Sequence, residues 1–384
     1  MKLLFVFVSW FCVLVYSQYE INERCITPTG FNSTCVPLSG CDLIQPLIAA
    51  AREGNVTARK LAIAYQCGYD GEILICCGNM ATNTGPQSLP IRHPIVLEDF
   101  DSPHLPDRSV CGVSPPETDK IWGGQITELD EFPWTAALEY VRKSDNAIAG
   151  VRCGGSLINN KWVVTAAHCI LDIEFRIFKV RLGEWNVKTN PDCYDLDLTQ
   201  PECADEVQTF GIEKEVTHEF YTKRDSSNDI GLLKLNGVTS YTKYIRPICL
   251  PPPSLPPAKL DSYLTVVGWG MTENGTTSDI KLKVDVPLVS NRICREKLPP
   301  SRPISRNHYC AGGELDKDAC RGDSGGPLMR SFKNNPGDLE QWYLEGIVGS
   351  GIGCGRMGSP GIYIRVSHYT KWIIDKLAEN NQKR

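Results

Sequence analysis

Residues 318–328 read DACRGDSGGPL, and the serine inside them decides how the fold is read. Ser324 stands between an aspartate and two glycines, with a proline closing the run. Taken alone, a serine among glycines is a tight loop. Two other stretches change its weight. VVTAAHC (163–169) is an apolar run of strand character that ends in His168 beside Cys169. SSNDIGLL (226–233) presents Asp229 just ahead of another apolar run. Singly, such a histidine is structural and such an aspartate is a turn residue. Together, in the chain order His, Asp, Ser, they form a candidate base, orienting acid and nucleophile.

The surrounding sequence has strand character. WTAALEY (134–140), KWVVTAAH (161–168), KVRLGEW (179–185), DIGLLKL (229–235), YLTVVGWG (263–270), WYLEGIVG (342–349) and GIYIRV (361–366) are short apolar runs broken by Gly, Pro and Asn. Many short strands with frequent turns predict an all-β barrel or sandwich from residue 121 onward. The end differs, because HYTKWIIDKLAEN places Tyr369, Trp372, Ile373 and Leu377 on one face at helical spacing.

The N-terminal third is built otherwise. Residues 3–16 are an apolar run behind Met1 and Lys2, which predicts a secretory signal over residues 1–17, cut near Ser17. That run is too short for a membrane span. The chain has 17 cysteines, and losing Cys12 with the signal leaves 17 − 1 = 16, an even set that implies disulfides. Six of them fall in residues 25–77, a module too small to bury much apolar surface. Within it, helical spacing groups Leu43, Leu47 and Ala51, and likewise Leu61 and Tyr65. Residues 78–110 carry prolines 86, 90, 94, 103 and 106 and predict an extended, largely disordered linker. The formal net charge of -5 gives no reason to expect a nucleic-acid partner, and nothing predicts a membrane one.

Residues 121–384 resemble the chymotrypsin-fold serine proteases. The resemblance implies a double six-stranded β-barrel with a C-terminal helix, a catalytic triad of His168, Asp229 and Ser324, and an oxyanion hole from the backbone N–H groups of Gly322 and Ser324. Losing one such donor costs roughly 3–4 kcal/mol of transition-state stabilisation. Asp318 matches the base of the primary specificity pocket and Gly351 and Gly361 match its walls, which implies cleavage after Arg or Lys. A bidentate pair favours Arg. The family's usual Ser-aromatic pair ahead of the first wall glycine is replaced by Gly349 and Ser350, which puts the hydrogen bonding behind Asp229 and the extended specificity in question. In residues 119–125, DKIWGGQ, the resemblance implies a cut after Lys120 that frees Ile121 to pair with Asp323. Trp122, where the family most often has Val, has no physical account.

The resemblance also implies the bridges Cys153–Cys169, Cys294–Cys310 and Cys320–Cys354. That leaves Cys111 with Cys249, and Cys193 with Cys203. Residues 25–77 resemble a clip domain, the disulfide knot of arthropod extracellular proteases, whose pairing implies Cys25–Cys76, Cys35–Cys67 and Cys41–Cys77. Sequence alone permits about fifteen connectivities for six cysteines. Residues 78–120 are then linker and activation segment. The Cys193–Cys203 insertion is typical of clip-domain proteases of the easter and prophenoloxidase-activating kind. There the family often binds a structural calcium, for which Glu184 and Asp205 are the candidates, with an acidic solvated loop as the alternative. No cofactor for catalysis is expected. Asn32, Asn55 and Asn274 head Asn-x-Ser/Thr sequons for glycosylation.

The function expected from the resemblance is a secreted zymogen of an extracellular cascade serving melanisation, Toll-type signalling or coagulation. Its partners are an upstream trypsin-like activator, a zymogen or cytokine-precursor substrate, and serpin inhibitors. An inactive binding cofactor of the same architecture commonly lacks the serine, which is present here. A digestive or venom trypsin is the remaining class.

Overall fold

The computed structural model describes residues 24–27, 32–52, 58, 61–62, 65–69, 73–77, 97, 100, 102–114, 125–194, 202–272, 276–299, 303–314, 322–333, 340–349 and 359–381. The chain forms two compact units, residues 1–93 and 94–384.

The first unit is a small sheet stapled by cystines. β1 (Arg24–Ile26), β2 (Asn32–Pro37), β3 (Gln66–Tyr69) and β4 (Ile73–Cys77) lie in the order β1-β2-β4-β3. α1 (Gln45–Arg52) follows a 3₁₀ turn at Asp42–Ile44. Cys25–Cys76, Cys35–Cys67 and Cys41–Cys77 are bonded as the clip resemblance implied. Cys35 sits opposite Cys76 in the β2–β4 ladder, so bridging and strand pairing reinforce each other. The helical-face reading holds at Leu47 and Tyr65, which pack in the small core, and fails at Leu43. Leu43 is 48% exposed and Ile44 is the buried residue at 1%. The tighter 3₁₀ turn rotates the chain ahead of the α-helix, so a 3.6-residue period extended back from Leu47 misplaces Leu43. Leu61 is likewise exposed, and Ala62 and Tyr65 are buried.

The second unit is two barrels. β5 (Gln125–Ile126) is an edge strand. Barrel one holds β6 (Thr135–Arg142), β7 (Ile148–Asn159), β8 (Trp162–Thr165) and, after the short helix α2 (Ala167–Ile170), β9 (Phe175–Leu182). The small hairpin of β10 (Cys193–Tyr194) and β11 (Glu202–Cys203) stands apart and is closed by Cys193–Cys203. β12 (Gln208–Phe210), β13 (Ile212–Thr217) and β14 (Gly231–Leu235) complete the sheet, in the order β12-β9-β6-β7-β8-β14-β13. β12 and β13 are one strand bent at Gly211, whose N–H donates to Asn236 Oδ1 at 3.0 Å. Its two halves pair with β9 and β14, and that closes a six-stranded barrel.

Barrel two holds β15 (Tyr263–Gly268), β16 (Leu282–Val289), α3 (Asn291–Lys297), β17 (His308–Ala311), β18 (Pro327–Phe332), β19 (Gln341–Val348) and β20 (Gly361–Arg365). The order β15-β18-β19-β20-β17-β16 closes by pairing β15 with β16, and β5 adds at the edge. α4 (Thr370–Asn381) then packs Ile373 and Leu377, both fully buried, onto a core shared with Trp134 and Trp162. The expected double barrel and closing helix are both present. Cys153–Cys169, Cys294–Cys310 and Cys111–Cys249 are bonded. Cys320–Cys354 lies outside the described residues, as do the signal segment 1–17, Asn55 and Asn274; Asn32 begins β2. No described helix is long and apolar enough to cross a membrane.

The structure departs from the linker reading at residues 97, 100 and 102–114, which pack as a strap on the barrels. Leu97 and Cys111 are buried with Cys249, Leu255 and Tyr343, and Phe100 and Leu105 lie against the main core. Asn159 Nδ2 donates to His104 O at 2.8 Å, and Gln341 Nε2 donates to Arg108 O at 2.6 Å and Cys111 O at 2.9 Å. Turns carry this segment, Leu105 N donating to Ser102 O at 3.3 Å and Val110 N to Asp107 O at 3.0 Å, and its apolar residues anchor it. We expect Cys111→Ser/Cys249→Ser protein, cut after Lys120, to keep its two pieces together in native size-exclusion chromatography. Pieces that separate without denaturant would show that the disulfide alone joins them.

Candidate active site

Three loops meet where the barrels touch. β8 runs Trp162–Thr165, all buried, and hands the chain to α2, which presents His168. Tyr140 Oη donates to Cys169 O at 2.8 Å and Thr165 Oγ1 donates to Gly154 O at 2.8 Å, so this turn is fixed from both sides. Asp229 ends the segment ahead of β14 and is 1% exposed. Its Oδ1 accepts the His168 backbone N–H at 2.8 Å and its Oδ2 lies 2.7 Å from His168 Nδ1. The carboxylate therefore holds both the backbone and the ring of one residue, with Nδ1–H toward the acid and Nε2 free to accept a proton.

Ser324 reaches the same place from barrel two. Its carbonyl accepts the Gly154 N–H at 2.8 Å and lies 3.5 Å from Cys169 Sγ, an atom 3.6 Å from His168 Nε2. Histidine and serine thus flank one cystine sulfur, and both are partly open to solvent. Gly325 N donates to Val348 O and Gly326 N to Asp323 O, each at 2.8 Å, which tightens the turn around the serine.

Gly322 has φ +105°, and a Cβ there would sit 2.9 Å from Gly270 Cα. The backbone conformation and the close approach both require glycine. Asp323 turns into the GWG segment, where its Oδ1 accepts the Gly270 N–H at 2.8 Å. A side chain on Gly268 or Gly270 would run into that carboxylate. These two glycines were missed as site residues; the signal was their spacing around Trp269.

Gly349 has a steric reason. A Cβ there would stand 2.8 Å from Ile362 O, and Gly349 N donates to that same carbonyl at 3.0 Å. Gly361, a predicted wall residue, opens β20 and is buried. Asp318, Gly351, Ser350, Lys120, Ile121 and Trp122 lie outside the described residues.

The predicted metal pair is separated by burial. Glu184 is 1% exposed with Arg181 Nε 2.6 Å from its Oε2, and its Oε1 has no hydrogen-bond partner. Burial pushes its carboxyl up to about 7, with repulsion from Asp192 adding to the shift and Arg181 opposing it. Asp205 is exposed. The acid acting on Glu184 is the buried Asp192, which accepts from Trp185 N at 2.8 Å, Asn186 N at 2.9 Å and Thr189 Oγ1 at 2.6 Å. Lys281 is buried nearby and donates to Glu131 O at 2.8 Å; burial lowers its ammonium to about 8. A buried carboxylate oxygen without a donor suits a hard cation, so Glu184 has the chemistry of a calcium ligand.

The geometry matches what known proteins show. The trypsin family model matches residues 121–373 and the model for the regulatory CLIP domain of proteinases matches residues 25–77. Phenoloxidase-activating factor 1 of Holotrichia diomphalia is 39% identical over 97% of this chain and 98% of its own length. The Spaetzle-processing enzyme of Drosophila melanogaster is 36% identical, covering 93% of this chain and 92% of its own. The crystal structure of the Drosophila Grass clip serine protease of the Toll pathway superposes with a TM-score of 0.60 at 31% identity, over 94% of this chain and 99% of that one. With the family match spanning more than half its length, and His168, Asp229 and Ser324 gathered where the barrels meet, this chain belongs to the trypsin family of serine proteases and carries an N-terminal CLIP domain.

Proposed function

We propose that the chain is a secreted zymogen, switched on by a cut after Lys120, that cleaves protein substrates after Arg or Lys in an extracellular cascade. The observation that carries this reading is the buried Asp229 bound twice to His168 beside Ser324. His168 Nε2 takes the proton of the Ser324 hydroxyl as its oxygen attacks the scissile carbonyl, and gives it to the leaving amine. Asp229 fixes the tautomer and stabilises the imidazolium that forms. The N–H groups of Gly322 and Ser324 hold the oxyanion. The freed Ile121 ammonium pairs with Asp323, next to the Gly270 N–H, and so orders the loop that carries those donors.

The cascade role is supported by the relatives' names, phenoloxidase-activating factor and Spaetzle-processing enzyme. The substrate is accordingly a second zymogen or a cytokine precursor, the activator a trypsin-like protease and the inhibitors serpins. The clip module is the part available to recruit partners. Chain cut after Lys120 should hydrolyse Arg peptides faster than Lys peptides and leave Phe peptides intact. Ser324→Ala should lower kcat by at least about 10⁴-fold. No activity in the cut wild type, or equal activity in the variant, would overturn the enzyme reading.

Asp318 is read as the specificity acid. Asp318→Ser should lower kcat/KM for Arg peptides by roughly 10²–10³-fold, the cost of an unpaired buried cation. A change below about threefold would assign Arg selection elsewhere.

We also propose a structural calcium at Glu184, with oxygens of the loop that follows; it would neutralise a buried carboxylate and brace that loop. Millimolar calcium should raise the Tm of the full chain by a few degrees, as ligand binding to the native state does. Glu184→Gln should abolish the rise and Asp205→Asn should leave it. No rise in the wild type would leave the acidic solvated loop as the reading.

A further inference from the structure

Ahead of Asp229 lies a turn that the catalytic scheme does not use. Within residues 225–228, Ser226 and Asn228 have left-handed backbones, with φ of 56° and 54°. Asparagine tolerates this region, but at Ser226 the conformation is costly and lasts only where contacts hold it. Several holds are local. Ser227 N donates to Asp225 Oδ1 at 3.0 Å, Asn228 Nδ2 to Phe220 O at 2.9 Å, and Thr222 N to Ser227 O at 3.1 Å.

Two other holds come from outside barrel one. His308, the first residue of β17, is 3% exposed, and its ring meets the backbone carbonyl of Ser226. Its Nδ1 lies 3.2 Å from Ser305 N and 3.1 Å from Ser305 Oγ. With Nδ1 accepting the Ser305 N–H, the proton is assigned to Nε2, which is then the nitrogen able to donate to the Ser226 carbonyl. Burial holds this histidine below its ordinary range, opposed by hydrogen bonding to the Ser226 and Ser305 backbones and by the Asp229 and Asp225 charges. Tyr369, just ahead of α4, donates its hydroxyl to Asn228 Oδ1 at 2.9 Å, and its ring is wedged edge-on against His218 at 5.4 Å.

A buried histidine in a β-core is usually just a satisfied core residue. Here both sides of the ring meet polar partners, and one is the strained residue three positions before the triad acid. An apolar side chain would fill the same space and leave the Ser226 carbonyl without that donor. We infer that His308 is a positioning residue for Asp229: from barrel two it holds the Ser226 carbonyl and, with Tyr369, fixes the turn that delivers the carboxylate to His168.

This rests on the protease reading, and one experiment separates the two. The full chain is cut after Lys120, functional nucleophiles are counted by active-site titration, and kcat and KM are measured per titrated site on an Arg peptide amide. His308→Met should lower kcat about tenfold with KM within about twofold. His308→Gln, whose amide N–H reaches the same carbonyl, should restore kcat to within about threefold of wild type. Tyr369→Phe, which deletes a single hydroxyl, should lose about two- to threefold. Wild-type kcat in His308→Met, or a His308→Gln as slow as His308→Met, overturns the inference. Where His308→Met yields no folded protein, an unchanged kcat in Tyr369→Phe overturns it instead. A wild type with no titratable serine fails the protease reading and not this one.

Discussion

The two barrels meet backbone to backbone, and the site depends on that contact. Gly154 N–H in β7 donates to Ser324 O at 2.8 Å across the seam. A Cβ on Gly154 would stand 3.0 Å from Gly326 Cα, and one on Gly325 would stand 2.7 Å from Gly154 O. Any side chain at these positions would wedge the barrels apart. The glycines around Ser324 are therefore more than loop formers. They let the nucleophile's own carbonyl dock on the barrel that carries the base. Thr165 Oγ1 takes the Gly154 carbonyl at 2.8 Å three residues before His168, so one strand registers both catalytic side chains.

The same economy of space governs the loop ahead of Ser324. Gly268 and Gly270 leave the room that the Asp323 carboxylate fills, and Gly322 lies against the Gly270 backbone. Asp323 has a backbone donor at Gly270 in this chain. On the proposed reading, an ammonium freed at Ile121 would offset more of the cost of holding that carboxylate than a neutral N–H does.

Much of this was legible in the sequence because its signals are local. The histidine, aspartate and serine each sit at the end of a strand or in a turn whose residue types announce it. The closing helix declared itself through Ile373 and Leu377. The cystine partners came from resemblance, since six cysteines alone leave the pairing open. What stayed hidden depends on contacts distant in sequence. The strap at 102–114 reads as linker because its composition is proline-rich, yet its partners Asn159 and Gln341 lie far along the chain. Ile44 replaced Leu43 as the buried residue because a 3₁₀ turn shifts the helical phase, and periodicity does not register such a turn. Asp192 and Asp205 flank one insertion and look alike in sequence. Only burial separates them. Gly349 looked like a lost hydroxyl, and the approach of Ile362 O shows a position with no room for a side chain.

That last glycine has a consequence for the acid. Among the described residues, the hydrogen-bond donors to Asp229 both belong to His168. A buried carboxylate with a third donor would be oriented partly by that donor. Among the described residues its orientation comes from the histidine it serves and from the backbone that carries it. Placement of the backbone then matters more, and the backbone just upstream is left-handed at Ser226 and Asn228. A strained turn holds its shape only as firmly as its anchors. Two of those anchors, His308 and Tyr369, stand outside barrel one. The triad acid is thus tied to the rest of the protease unit twice, through the serine seam and through this turn. A disturbance of either tie reaches the same imidazole.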